Sequence, residues 1–265
     1  MPELAEVETW RRLAESAFLG ATVQRCRAGK DDIVFDRESA ATVSRRCKGR
    51  TLVGARRRGK HLWLAWDRAP HTYVHFGTSG WFEVVSSEDP SPRFTKIRWD
   101  FDTGQSLCYA CIRRIGRIRL LTDPLNEAPF NKLGKDPFID APPVAWYQDV
   151  LSSSKRPIKS LLLEQKFFAG VGNWLADEVL YQARIAPQRS DCVLTPAEVS
   201  RVRSRLHAIV NKAVAVEADE RRFPRTWLFH TRWGKSKDAR TANGEAITFD
   251  TIGGRTTAWV PSRQK

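Results

Sequence analysis

The chain has 265 residues, 42% of them hydrophobic and 28% charged, with a formal net charge of +14 and a pI near 10.0. A length and apolar share of this kind can bury one large core or two modest ones, so the chain should fold, and the excess of cations points to a polyanionic partner: nucleic acid first, an anionic membrane surface second. No apolar run approaches the roughly 20 residues of a membrane span, and the start Met1-Pro2-Glu3-Leu4-Ala5-Glu6 lacks the basic and apolar stretches of a secretory signal, so the protein is expected at the nucleoid or in a nucleus and not secreted.

Residues 3–18 place Leu4, Val7, Leu13, Ala14 and Phe18 at helical spacing, which predicts a helix starting directly behind Pro2. From about residue 22 to 122 the pattern turns to short β runs at 51–53, 61–66, 72–76, 81–85, 97–101 and 118–121, separated by Gly, Pro and Ser clusters, as in a sandwich or barrel. The five cysteines, Cys26, Cys47, Cys108, Cys111 and Cys192, are odd in number and scattered, which suits free thiols in a reducing compartment. Cys108 and Cys111 have the spacing of half a zinc site, but no second pair follows, and buried thiols on a strand are the better reading.

The proline-rich run from 124 to 143 reads as a linker. Beyond it, 144–151, 157–165 and 174–184 are helix candidates, and Thr195-Pro196-Ala197-Glu198 is a capping box with proline at the first helical position, starting a helix to about Val216. Strands at 246–249 and 256–260, joined through Gly253-Gly254, predict a terminal hairpin.

Several residues have a chemical and a plain reading side by side. Removal of Met1 would expose the secondary amine of Pro2, nucleophilic near neutral pH, with Glu3 and Glu6 close enough to move protons; proline and glutamate are also what an ordinary helix start prefers. Gly170-Val171-Gly172-Asn173 between two helices can hold a phosphate on free N–H groups and the Asn173 side chain, or be a simple helix hairpin. Lys60 closes a stretch from Arg45 with eight Lys or Arg and no acid, which could equally be a solvated face. Arg255 follows the double glycine, where a guanidinium could grip a phosphate or merely sit in a basic tail.

The start Met1-Pro2-Glu3-Leu4-Ala5-Glu6-Val7-Glu8-Thr9 closely resembles that of formamidopyrimidine-DNA glycosylases and their endonuclease VIII relatives. Three further blocks match in order: Arg58-Gly59-Lys60-His61-Leu62, His75-Phe76-Gly77-Thr78-Ser79-Gly80, and residues 165–187 with the helix-two-turn-helix signature. The tail from Ile247 to Pro261 resembles the zincless finger of plant and fungal enzymes, and no cysteine follows Cys192 to build the four-cysteine finger of bacterial relatives.

The resemblance implies an α+β chain: a catalytic domain over 1–128 with an N-terminal helix and β-sandwich, a helix-two-turn-helix domain over 129–228, and a zincless-finger hairpin over 229–265. It implies Pro2, Glu3, Glu6 and Lys60 as catalytic residues, and His75, Lys159, Asn173 and Arg255 as DNA contacts. Thr78, Arg113 and Ile115 fall where the family fills the gap left by an extruded base. Thr78 is short and polar for a wedge and Ile115 cannot stack as a ring does, so Trp81 is a candidate substitute. The expected function is a bifunctional DNA glycosylase and abasic-site lyase of base excision repair, a monomer on double-stranded DNA held in a basic cleft between the domains, with no metal or organic cofactor implied. Its expected substrates are formamidopyrimidines, hydantoins and abasic sites, with 8-oxoguanine a poor one. A non-catalytic DNA-binding homologue leaves Pro2, Glu3 and Glu6 unexplained together, and an RNA-binding protein leaves both the Pro-Glu start and the sandwich unexplained.

Overall fold

The computed structural model describes residues 2–152 and 155–265. It divides into two compact units, Met1–Lys132 and Leu133–Lys265.

The first unit opens with α1 (Leu4–Phe18) and continues through β1 (Val23–Ala28), α2 (Ala40–Cys47), β2 (Leu52–Arg58), β3 (His61–Trp66), β4 (His71–His75), β5 (Gly80–Ser86), β6 (Thr95–Phe101), β7 (Gln105–Cys111) and β8 (Arg117–Leu121). The strands form two four-stranded antiparallel sheets, β1-β6-β7-β5 and β2-β3-β4-β8. Alternation decides which side chains meet: on β3, Leu62, Leu64 and Trp66 point inward and join Phe76, Trp99, Phe101 and Tyr109 from the other strands in one core with Val7, Ala14 and Phe18 of α1. Each such side chain contributes roughly 1.5–3 kcal/mol through burial. Cys108 and Cys111 are buried free thiols on β7, as expected.

Two elements escape the sequence pattern. Strand β1 buries only Val23 fully, and α2 buries only Val43 and Cys47, one turn apart, with Ser39 capping it through the Thr42 N–H at 3.2 Å. The expected linker is also partly structural. Phe130 is buried edge-on against Trp63, ring centroids 4.7 Å apart, and against Tyr73 at 5.8 Å, which carries the first unit past residue 128 to Lys132.

The second unit contains α3 (Val144–Leu151), α4 (Ile158–Leu162), α5 (Asn173–Ala183), α6 (Pro196–Ala215) and a hairpin of β9 (Thr248–Ile252) and β10 (Arg255–Trp259). Helix α4 is shorter than the expected 157–165 because Gln165 turns back on the chain: its amide donates to Leu163 O and Val171 O, both at 2.8 Å, and accepts Gly170 N–H at 3.0 Å. That one side chain shapes the turn that launches α5. The capping box of α6 forms as expected, Thr195 Oγ1 accepting from Glu198 N–H and Glu198 Oε2 from Thr195 N–H. Among the described residues, no helix is long and apolar enough to cross a membrane.

The hairpin turn is type I′ by its backbone, with Gly253 and Gly254 at φ +58° and +71°, a conformation that suits the strand twist and excludes most side chains. Tyr181, Leu228, Ile247, Ala258 and Val260 close a small core that fastens the hairpin to α5.

Candidate active site and nucleic-acid interface

Pro2 immediately precedes α1, and Glu3 is its N-cap, only 2% exposed. The Glu6 carboxylate accepts the Glu3 backbone N–H at 3.0 Å. Glu6 therefore serves as a helix cap at the same time as it lies one turn from the proline.

Two residues further, Glu8 is buried and pairs with Arg11, Arg12 and Arg57. Arg57 has a fully buried side chain, 3.1 Å from Glu8, and donates to Gly59 O at 2.9 Å. These bonds lock the Gly59–Lys60 turn between β2 and β3 to α1. Gly59 has φ +58° as the first central residue of this two-residue turn, the position where a type II′ hairpin requires glycine. Lys60 is only 9% exposed, so the basic stretch ending at Lys60 is not a uniformly solvated face. Glu8 and Arg57 were missed as positioning residues because one looks like a surface helix acid and the other like one of several arginines in a row.

His75 faces His61 across β3 and β4, rings stacked at 4.9 Å. Burial, with the Lys60 charge, pushes the His75 imidazole down to about 4, and burial with His75 and Lys60 pushes His61 to about 3. His75 is therefore neutral at physiological pH. Its Nδ1 accepts Gly77 N–H at 3.3 Å, which puts the ring proton on Nε2 and makes that nitrogen a donor.

The three expected void-filling residues lie on two loops that press together. Ser79 Oγ accepts Arg113 N–H at 2.9 Å, and a Cβ on Gly77 would fall 2.7 Å from the backbone of Ile115 and Gly116. Arg113 and Ile115 are exposed at the loop surface, with Ile112 beside them, whereas the Thr78 hydroxyl is buried with no hydrogen-bond partner among the described residues. Asp31 anchors the base of this loop through both carboxylate oxygens to Arg114 and through Lys96 at 2.9 Å. Burial opposes ionisation there, but the Arg114 and Lys96 bonds prevail and hold the Asp31 carboxyl down at about 2. Trp81 lies half-buried on β5 and donates to Glu83 at 3.2 Å.

In the second unit, Asn173 begins α5 and its Nδ2 donates to Thr256 O at 2.9 Å, tying the helix start to the hairpin. Lys159 requires a correction. It is 0% exposed, with Nζ 2.7 Å from Asp177 Oδ1 and donating to Thr256 O and Thr257 Oγ1 at 3.1 and 2.7 Å. A lysine so enclosed holds the hairpin and does not reach a phosphate. Asp177 binds Arg232 as well, at 2.7 Å, and accepts Ala258 N–H, so one buried carboxylate joins α4, α5, the segment after α6, and β10. Arg255, next to the glycine turn, is exposed, and its guanidinium has no acceptor among the described residues.

The segment after α6 packs onto the start of α5 as an aromatic cluster: Trp174 meets Phe223 at 5.7 Å and Phe229 at 5.2 Å, and Phe223 meets Trp227 at 4.9 Å. Glu178 binds this segment from beneath, accepting Phe229 N–H at 2.9 Å; burial raises its carboxyl to about 7 in spite of this bond and that from Gln182.

Comparison with known proteins places this geometry. The formamidopyrimidine-DNA glycosylase N-terminal domain matches residues 1–118, and the H2TH domain of the same enzymes matches 133–224. Formamidopyrimidine-DNA glycosylase of Arabidopsis thaliana is 36% identical over 278 residues, spanning 100% of this chain and 71% of that protein. The chain belongs to the formamidopyrimidine-DNA glycosylase family. The formamidopyrimidine-DNA glycosylase of Rickettsia massiliae is 30% identical over 81% of this chain and 76% of its own length. Among solved structures, Lactococcus lactis formamidopyrimidine-DNA glycosylase, crystallised non-covalently bound to DNA containing an abasic site, aligns with a TM-score of 0.86 at 25% identity over 99% of both chains. In family terms the second domain starts at residue 133, where the first compact unit has just ended.

Proposed function

We propose that this DNA glycosylase of base excision repair works through a Schiff base on Pro2 and then cleaves the strand. The observation that carries the proposal is the start of α1, where the nearly buried Glu3 adjoins Pro2, whose nitrogen becomes a secondary amine once Met1 is removed, at the positive end of a 15-residue helix. With Met1 removed, an amine of this type titrates near pH 8, and the helix end favours its neutral form.

The Pro2 nitrogen bonds to C1′ as the glycosidic bond breaks and the base departs with a proton. Glu3 protonates O4′, the sugar ring opens, and an iminium forms. Loss of a C2′ proton expels the 3′ phosphate, a second elimination expels the 5′ phosphate, and water releases Pro2. Lys60, His75, Asn173 and Arg255 grip phosphates around the extruded nucleotide, while Arg113 and Ile115 hold the stack open. The exposed Arg255 guanidinium and the Nε2 donor of His75 support those roles.

Borohydride reduction on abasic-site DNA tests the reading. Wild-type protein is expected to give a covalent complex, and Pro2→Gly to abolish it while keeping salt-sensitive binding. Undiminished trapping by Pro2→Gly would shift the nucleophile to a lysine such as Lys60.

A further inference from the structure

We propose that Cys26 and Cys47 form a dithiol that a peroxide oxidises to a disulfide between β1 and α2, a modification site independent of the Pro2 chemistry. Both residues belong to the first unit. Cys26 lies on β1, opposite Trp99 of β6, and Cys47 is the last residue of α2. The chain leaving α2 binds straight onto β1: Gly49 N–H donates to Val23 O at 2.8 Å, and Val23 N–H to Arg50 O at 2.9 Å. The Cys26 thiol adjoins two residues one turn apart on α2, the Ser44 hydroxyl and the Cys47 thiol. The remaining cysteines stand apart from one another. Cys108 and Cys111 are three residues apart on β7, so their side chains leave opposite faces of the sheet, and Cys192 is exposed in the second unit.

The two thiols have different surroundings. Cys26 lines an open cavity with Arg27, Ser44, Ser91, Thr95 and Lys96, polar walls that admit a small polar oxidant such as hydrogen peroxide. Cys47 is 1% exposed and ringed by donors. Its Sγ lies 3.3 Å from Thr72 Oγ1, whose oxygen already accepts Trp66 Nε1–H at 2.9 Å, which leaves the hydroxyl proton for the sulfur. The Trp99 indole N–H is buried with no hydrogen-bond partner among the described residues, and it too lies against Cys47. An apolar filler in place of Cys47 would leave that N–H nothing to meet. The Cys26 thiol first, then Thr72, Trp99 and the Arg50 charge, hold the Cys47 thiol below its ordinary value in spite of burial. Cys26 is therefore placed to meet the oxidant, and Cys47 to attack the product.

The Cys26 sulfur attacks one peroxide oxygen; the O–O bond breaks, and the departing hydroxide takes the thiol proton, giving a sulfenic acid and water. The Cys47 sulfur then attacks the Cys26 sulfur, the S–O bond breaks, and the second hydroxide leaves with the Cys47 proton as water. Two thiols are oxidised and one peroxide is reduced. The bridge closes a loop over residues 26–47 that contains Asp31 and Asp36, the carboxylates that hold Arg114, Arg117 and Arg119. Such a cross-link restricts the unfolded chain and fastens this segment in the folded one.

The test exposes the full chain to hydrogen peroxide at doses that oxidise Cys192, quenches with catalase, and alkylates after unfolding. Two of the five cysteines should then escape alkylation as one peptide pair joining Cys26 to Cys47, and dithiothreitol should restore both. Peroxide-treated wild type should also unfold at a higher denaturant concentration than the reduced protein, a shift absent in Cys26→Ser. In Cys26→Ser no linked pair should form. In Cys47→Ser, Cys26 should stop at the sulfenic acid and be captured by dimedone, which wild type escapes by closing the bridge. Recovery of Cys26 and Cys47 as free thiols while Cys192 is oxidised would overturn the proposal. So would oxidation of Cys26 to a sulfinic acid beside a free Cys47, or a bridge to any cysteine other than Cys47. A linked pair with no shift in unfolding would refute the fastening of the segment.

Discussion

At the scale of single residues, charge state separates side chains that look equivalent on a list of DNA contacts. His75 is held neutral by burial, whereas Arg255 is a full cation in solvent. Phosphate contacts by cations release counterions, and contacts by neutral donors do not. Arg255→Ala is therefore expected to weaken binding to abasic-site DNA by about 1.5–3 kcal/mol and to reduce the salt slope by about one. His75→Gln should weaken binding with the slope unchanged, and titrations across salt concentrations check both. The helix start behind Pro2 and the double-glycine turn before Arg255 were legible because each is a strong local signal. Lys159 was placed at DNA by the family resemblance, and no local pattern in the sequence shows that Asp177, eighteen residues on, engages its charge internally. Thr78 has no legible role: its hydroxyl is buried with no partner among the described residues.

At the scale of elements, α5 carries a pH dependence of definite sign. Glu178 is raised from an ordinary carboxyl value to about 7 by burial, so the folded protein holds a proton that the unfolded chain releases. Its contribution to stability is fully present below about pH 4.3 and is lost as pH rises through about 7. Relative to Glu178→Gln, the wild type should lose stability across that window with a slope approaching about 1.4 kcal/mol per pH unit, measured by denaturant unfolding at several pH values. A parallel slope in the two proteins would show that Glu178 is ionised when folded. Long, periodic elements such as α1, α6 and the central strands were visible in sequence. Helix α2 and strand β1 were not, because an element that buries one or two side chains leaves almost no periodicity to detect.

At the scale of the whole molecule, the packed segment after α6 bears on substrate choice. Phe223, Trp227 and Phe229 fold it down onto Trp174, so it offers little free backbone to close over an intact oxidised purine. The hydrogen bonds that would single out 8-oxoguanine, each worth about 0.5–1.5 kcal/mol net, are then lost. Ring-opened formamidopyrimidines, hydantoins and abasic sites are extruded at lower cost. They should be processed at least about tenfold faster than 8-oxoguanine opposite cytosine, and comparable single-turnover rates would refute the link between this segment and lesion choice.

The Asp177 junction has a chemical consequence for the conditions under which such an enzyme is needed. Oxidised bases arise where peroxides and released metal ions are abundant, and a finger built on cysteine thiolates is vulnerable to both, through oxidation or exchange of its metal. Here the hairpin is held by carboxylate, ammonium, guanidinium and aliphatic groups, and the chain after Cys192 contains no thiol at all. The hairpin's packing is thus made of groups that mild oxidants leave untouched, so oxidative conditions do not dismantle it.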